Sequence, residues 1–532
     1  MTRLLLASSA LALIAAAAQA ETVLHILHTN DVHSRIEPIT ASGSTCGAEA
    51  REAGECFGGI ARIAAAIAQM RQEIEAAGQH VLVLDAGDQY QGSLFYTTYK
   101  GEEVVEFMNT IGYDAMAIGN HEFDDGPEGL NVLLEGADFP VIGGNIDVSQ
   151  SNILAGRVPA HVVLEAGPMR VGLVSALAMD TPDTSSPGPN VIFLDDIDSL
   201  KDGVARLADE DVATVIALTH SGYRRDMDYA AEVAGLSAIV GGHSHALLGD
   251  MENAVGPYPT FVTDPDGIEV PVVQTNGYGM YLGHLVLTFD DQGQLLRAEG
   301  QPILLDDTVP EDEAILARVA EMSGPIDELR ATVVARALAP IDGSRETCRS
   351  QECEMGNLVA DAMLARSAGQ GVSIVIQNGG GLRASLDVGD VTMGDVFSVL
   401  PFQNTLATFE LDGADVIAAL ENGASRLEDG AGRFAQVAGL RYTLDPAAEP
   451  GSRISDVMVM QDGEWQPIDP AASYGVATNN YMRGGGDGYD VFAERGRNAY
   501  DFGPDLAEIV ADYMAQAQDG YQPVLDGRIT LR

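Results

Sequence analysis

Val23-Leu24-His25-Ile26-Leu27-His28-Thr29-Asn30-Asp31-Val32-His33 is an apolar run that ends in an amide, an acid and an imidazole. The run, residues 23–27, is short and largely continuous, as suits a strand buried on both faces. Four more runs share the pattern. Residues 81–84 lead into Ala86-Gly87-Asp88-Gln89, and residues 115–118 into Gly119-Asn120-His121-Glu122. Residues 215–218 lead into Thr219-His220, and residues 238–240 into Gly241-Gly242-His243-Ser244-His245. Each polar motif falls at the carboxyl end of its strand, where an α/β architecture gathers its active-site loops.

Imidazoles, an amide oxygen and carboxylates are the donors that borderline divalent metals such as zinc or manganese take, and this supply suffices for two ions. A lone histidine near a strand end is more often a surface or hydrogen-bonded structural residue. Clustering of His33, His121, His220, His243 and His245 at strand ends points instead to a dinuclear hydrolase. His25, His28, His80, His161 and His284 lie outside the motifs and read as structural.

Residues 1–20 carry Arg3, an apolar core over 4–18 and Ala18-Gln19-Ala20 before Glu21. That is the pattern of a secretory signal peptide. No later stretch approaches the roughly twenty apolar residues of a membrane span, and the C-terminus lacks the tail of a lipid-anchor signal. The expectation is an exported protein, periplasmic or secreted, without a membrane anchor. Four cysteines suit an oxidising compartment. They pair most simply as Cys46 with Cys56 and Cys348 with Cys353, although four cysteines allow three connectivities.

A formal charge of −50 argues against nucleic-acid polymers as partners. An anionic substrate would also be repelled, so cations at the site must reverse the local field.

The chain is long enough for two domains. The first is expected over 21–305 and the second over 341–532, with a helical connector at 306–340. Within the connector Pro310-Glu311-Asp312-Glu313 precedes Ile315, Leu316, Val319, Ile326, Leu329 and Val333 or Val334 at helical spacing. Pro325 is expected to break or kink it. In the second domain a helix at 356–367 carries Leu358, Val359, Met363 and Leu364 on helical spacing. A buried strand at 373–376 ends in Gln377-Asn378-Gly379-Gly380-Gly381-Leu382-Arg383. Such a loop offers backbone N–H groups and a guanidinium to a phosphate or carboxylate.

These motifs, with Leu84-Asp85-Ala86-Gly87-Asp88-Gln89-Tyr90-Gln91-Gly92-Ser93, Leu400-Pro401-Phe402 and Gly484-Gly485-Gly486-Asp487-Gly488, resemble the secreted and cell-surface 5′-nucleotidases in matching order. The resemblance implies a calcineurin-like metallophosphoesterase domain, a four-layer α/β/β/α sandwich, followed by a C-terminal α/β nucleotide-binding domain. It implies one metal on Asp31, His33 and Asp88, with His245 as a further ligand at a position that is often an amide in related proteins. A second metal would share Asp88 and be held by Asn120, His220 and His243. Zinc leads as cofactor, with manganese or cobalt suited to overlapping donors. His121 would stabilise charge on the phosphoryl and leaving oxygens, oriented by Asp124. Phe402 and Tyr481 would sandwich the base and Asp487 would accept from the ribose. Arg349, Asn378 and Arg383 would complete the substrate contacts. The implied reaction releases phosphate from nucleoside 5′-monophosphates for salvage outside the cytoplasm, with closure of the domains about the connector.

Alternatives on the same scaffold are hydrolysis of nucleotide sugars, nucleoside di- and triphosphates or 2′,3′-cyclic nucleotides. A branch acting on protein-bound sulfur compounds is disfavoured by Phe402, Tyr481 and Asp487. From a different class, a secreted nucleotide-binding protein with vestigial catalysis is disfavoured by the intact ligand set.

Overall fold

The computed structural model describes residues 21–532 except 41–45, Asp180, Glu252, Gln403, Asp462 and Phe502. The expected signal peptide at 1–20 lies outside the described residues.

All five apolar runs form strands, and they divide between two six-stranded sheets. The first sheet orders Leu295–Leu304, Tyr281–Phe289, Thr22–Thr29, His80–Asp85, Ala115–Ala117 and Val141–Ile142. The second orders Thr260–Thr263, Glu269–Val273, Ala238–Gly241, Thr214–His220, Met169–Leu177 and His161–Ala166. Strands bearing the motifs run parallel within each sheet, so their carboxyl ends share an edge.

Side chains along a strand alternate between its faces. Leu24, Ile26, Leu82 and Leu84 accordingly meet Leu173, Ile216, Leu218 and Val240 between the sheets. Leu27 and Val83 turn the other way, against Ile60, Ile63, Ile67 and Phe107 of the outer helices. On the second sheet, Val215, Ala217 and Ile239 pack on Leu200, Leu207 and Tyr229. The layers are helix, sheet, sheet, helix. Full burial of each Leu or Ile contributes about 1.5–3 kcal/mol, which explains why these runs are apolar on both faces apart from His25.

The connector differs from expectation. One helix, Glu313–Arg330, starts at Asp312, whose carboxylate accepts from the N–H groups of Ala314 and Ile315. It continues through Pro325 as a single element. Pro325 costs one backbone bond, but Ile326 beside it is fully buried and Ser323 Oγ bonds back to Val319 O, so packing holds the segment helical. The helix stops before Val333–Ala337, which is a strand paired antiparallel with Gly389–Thr392.

Beyond it, a five-stranded sheet orders Ala435–Ala438, Val372–Asn378, Ser473–Asn479, Leu406–Asp412 and Arg497–Tyr500. Helix Glu354–Arg366 packs on it through Leu358, Val359 and Met363. A four-stranded sheet, Glu464–Pro467, Ile454–Gln461, Leu440–Leu444 and Ile529–Leu531, completes this half. Disulfides join Cys46 to Cys56 and Cys348 to Cys353, with Cα separations of 5.8 and 5.1 Å. Among the described residues, no helix is long and apolar enough to cross a membrane.

Candidate metal centre and substrate cleft

The strand ends present these metal-ligand candidates through a distorted backbone. Asp31, His33, Asp88, His243 and His245 all have positive φ, between 49° and 78°. Such strain in residues with a side chain persists only where the surroundings over-determine it, and it collects at functional sites.

Three overlapping groups of donors converge: Asp31, His33 and His245; His33, Asp88 and His121; Asp88, His220 and His243. Within each group the ligand atoms lie within 4.8 Å of one another. His33 Nε2 is 3.1 Å from His245 Nε2, and Asp31 Oδ1 is 3.4 Å from that same nitrogen. Asp88 Oδ2 stands between the groups, 3.9 Å from His33 Nε2 and 3.0 Å from His220 Nε2. Asn120 Oδ1 lies 2.9 Å from His243 Nδ1.

His220 tests the fit to a cation. Its Nδ1 is 2.7 Å from Ala86 O, so an N–H sits there and Nε2 is the nitrogen turned to the donor cluster. That buried Nε2 makes no hydrogen bond, although carboxylate oxygens surround it. A buried ring nitrogen facing carboxylates is a position where a divalent ion would be satisfied. The same demand shows in the protonation of the metal-free protein. Burial works against charge on His220, but Asp88 outweighs it and raises the imidazole to about 10. A bound cation would replace that proton. His33 is the converse, held well below its ordinary value by burial and by His245, and so is a neutral donor.

His121 faces the cluster from the turn after Asn120. Its backbone N–H donates to Asp88 Oδ1 at 2.9 Å, and its Nδ1 is 2.6 Å from Asp124 Oδ2. Burial opposes its protonation, yet Asp124 and then Asp88 lift it to about 10. Asp124 is held in turn by Ser185 Oγ at 2.8 Å.

Two buried carboxylates without a role in the sequence motifs support these loops. Glu122 accepts four backbone N–H groups, from Asp88 at 3.0 Å, Gln89 at 2.8 Å, Tyr90 at 3.1 Å and Gly119 at 2.7 Å. It ties the Asp88 loop to the Asn120 loop, and burial, with the neighbouring Asp88, pushes its carboxyl to about 7. Asp85 accepts from Thr29 Oγ1 at 2.6 Å, Gly87 N at 2.9 Å and Gln89 Nε2 at 2.6 Å. Both lie within quoted motifs, but amide acceptance leaves no signature in side-chain spacing.

The second half brings its predicted residues to one place. Strands Val372–Asn378 and Ser473–Asn479 end side by side, and Asn479 Nδ2 donates to Asn378 Oδ1 at 2.9 Å. Asn378 Nδ2 donates to Asp487 Oδ2 at 2.7 Å, and Tyr481 Oη donates to Asp487 Oδ1 at 3.2 Å. The Arg383 guanidinium lies 5.4 Å from the centre of the Phe402 ring. With Arg349, these residues line a cavity of about 390 Å³. Tyr481 is 48% exposed, large for an aromatic ring meant only for packing.

A larger cavity, about 490 Å³, adjoins the metal-ligand residues. Asn120, His121, Asp124 and His243 form one wall, and Thr405, Asn480, Asp501 and Asp505 the other. His25, His28, His80, His161 and His284 contribute to neither cavity lining nor donor group. His25 and His284 pair with each other at 2.8 Å, and His28 bonds Tyr258 Oη at 2.8 Å.

Family models match the two halves: calcineurin-like phosphoesterase over residues 24–247, and the 5′-nucleotidase C-terminal domain over residues 330–494. The 5′-nucleotidase of Bos taurus is 37% identical over 528 residues, covering 95% of this chain and 90% of its own. Snake venom 5′-nucleotidase of Naja atra is 35% identical over 530 residues, covering 95% and 98%. Among solved structures, the 5′-nucleotidase precursor from Thermus thermophilus is similar at 39% identity and a TM-score of 0.69, covering 96% of this chain and 99% of that one. Two domain models in order, relatives matched nearly end to end and a donor cluster at the shared strand edge agree: this chain belongs to the 5′-nucleotidase family.

Proposed function

We propose that the protein is a metal-dependent 5′-nucleotidase that releases phosphate from nucleoside 5′-monophosphates of the AMP type, acting outside the cytoplasm, where its two disulfides persist. One observation carries the reading: a donor cluster supplied by both sheets of the first domain lies beside Tyr278, whose ring meets those of His33 and His245 and which also lines the cavity of Phe402, Tyr481 and Asp487.

Asp31, His33, Asp88 and His245 would hold one divalent ion, and Asp88, Asn120, His220 and His243 the other, with zinc as the favoured metal. Two such ions, when bound, neutralise phosphoryl charge and activate a water. Asp31 and Asp88 bring two negative charges against four positive ones, so this spot attracts phosphate within an acidic protein. His121, held by Asp124, offers an N–H to the phosphoryl and leaving oxygens, a donor aimed at charge that builds during reaction. Phe402 and Tyr481 stack the base, Asp487 accepts from ribose hydroxyls and Asn378 orients Asp487. Arg349 and Arg383 attract the anionic end.

The test is phosphate release from AMP by the full chain, after exhaustive chelation and after readdition of zinc, manganese or cobalt. Loss on chelation and recovery with metal is expected. Hydrolysis that persists without metal rejects the dinuclear reading, and tight AMP binding without turnover favours a binding protein.

A further inference from the structure

Tyr278 is the single residue of the first half among those lining the 390 Å³ cavity that holds Phe402, Tyr481 and Asp487. It also touches the metal-ligand rings. Its ring centre lies 5.6 Å from that of His33 and 5.2 Å from that of His245. The two ends of a nucleotide, base in one half and phosphate at the donor cluster, therefore have Tyr278 between them.

The ring is held rigidly there. Tyr278 has φ of 61°, and its N–H donates to Asp31 O at 2.6 Å, which fastens the backbone to a ligand residue. Gly277 before it admits no side chain, since a Cβ would collide with the His245 ring. The Arg35 guanidinium lies over the ring, 5.0 Å from its centre. Arg35 is only 6% exposed, and its Nε makes no hydrogen bond, so the cation faces the ring with little competition from water.

A rigid aromatic wedge of this kind sets a fixed length for whatever passes it. We propose that Tyr278, seated on Arg35, determines specificity by limiting how many phosphates fit between the stacked base and the metal centre, favouring monophosphates over diphosphates. The inference rests on the proposed nucleotidase reading and adds the residue that sets its substrate range.

The experiment compares kcat/KM for AMP and ADP in the wild type, in Tyr278→Phe and in Tyr278→Gly, with metal content measured on each protein. Glycine suits the positive φ, so its backbone is unstrained there. Removing the ring should shift the AMP-to-ADP ratio toward ADP by about tenfold or more, the scale on which pocket shape discriminates. Tyr278→Phe should keep the wild-type ratio, because bulk and not the hydroxyl does the selecting. Metal content should be unchanged in both. An unchanged ratio in Tyr278→Gly, an equal shift in Tyr278→Phe, or a change only in step with lost metal would overturn the proposal. Failure of the wild type to hydrolyse either nucleotide would instead strike the nucleotidase reading itself.

Discussion

His121 Nδ1 and Asp124 Oδ2 stand 2.6 Å apart at the wall of the larger cavity, with the His121 backbone N–H bonded to the carboxylate of Asp88. In the proposed reaction the imidazole is a donor whose charge is sustained by Asp124. His121→Ala should lower kcat by about 10²- to 10⁴-fold, the usual contribution of a positioned proton donor. Bound metal, read by elemental analysis, should stay at the wild-type level.

Asp124→Asn tests the electrostatics of the pair. Asp124 raises His121 above its ordinary value, and activity that needs the imidazolium falls as pH rises through the raised value. Without the carboxylate charge the imidazole loses its proton at lower pH. The basic limb of the kcat profile should move down in pH; a limb that stays in place would remove Asp124 from this role.

Glu122 holds the Asp88 loop to the Asn120 loop through four amides. Glu122→Ala leaves those N–H groups buried without an acceptor and should weaken metal binding by about 10- to 100-fold, as loss of a supporting partner around a metal site does. Glu122→Gln keeps one oxygen and should lose less. Metal titration of the apo-proteins, followed by the return of AMP hydrolysis, gives the comparison.

Phe402→Ala removes one face of the proposed base stack and the ring beneath Arg383. A stacking loss of about 1–3 kcal/mol corresponds to a KM for AMP raised by roughly 5- to 150-fold. Steady-state kinetics should show the larger effect in KM and the smaller one in kcat. An unmoved KM would return Phe402 to plain packing.

His284 is lowered to about 4 by burial and by the neighbouring charge of His25, and it belongs to none of the donor groups. A histidine whose folded value lies below its unfolded value binds fewer protons in the native state, so stability falls as pH drops from about 6.5 toward 4 and levels off below. His284→Gln should flatten that decline. Thermal unfolding of the metal-loaded protein at pH 7, 6 and 5 would show it.

Legibility follows locality. The convergence of Asp31, Asp88, Asn120, His220 and His243 is readable because each closely follows a buried strand, and a parallel sheet aligns such ends. Glu122 shows no role in the sequence because what it binds is backbone, and every residue offers the same amide. Tyr278 stands in no donor motif, and only the approach of the second half to the first shows that it faces both. The connector departs from its helical pattern for a related reason. Val333 and Val334 continue the spacing from Leu329, but β-branched residues also suit a strand, and the partner that decides, Gly389–Thr392, is distant in sequence. Pro325 does not break the helix because one lost bond is small beside the burial of Ile326.

Asp31, Asp88 and Asn120 hang from one sheet of the sandwich, while His220, His243 and His245 hang from the other. Ions gripped by both sets, as proposed, would act as rivets across the seam between the sheets, and occupancy and mechanical integrity would be a single property. Each increment of binding to the native state alone adds to its resistance to unfolding. Starvation for metal would therefore not leave an idle enzyme waiting to be recharged; it would leave a looser one, exposed first along the edge where the reaction takes place.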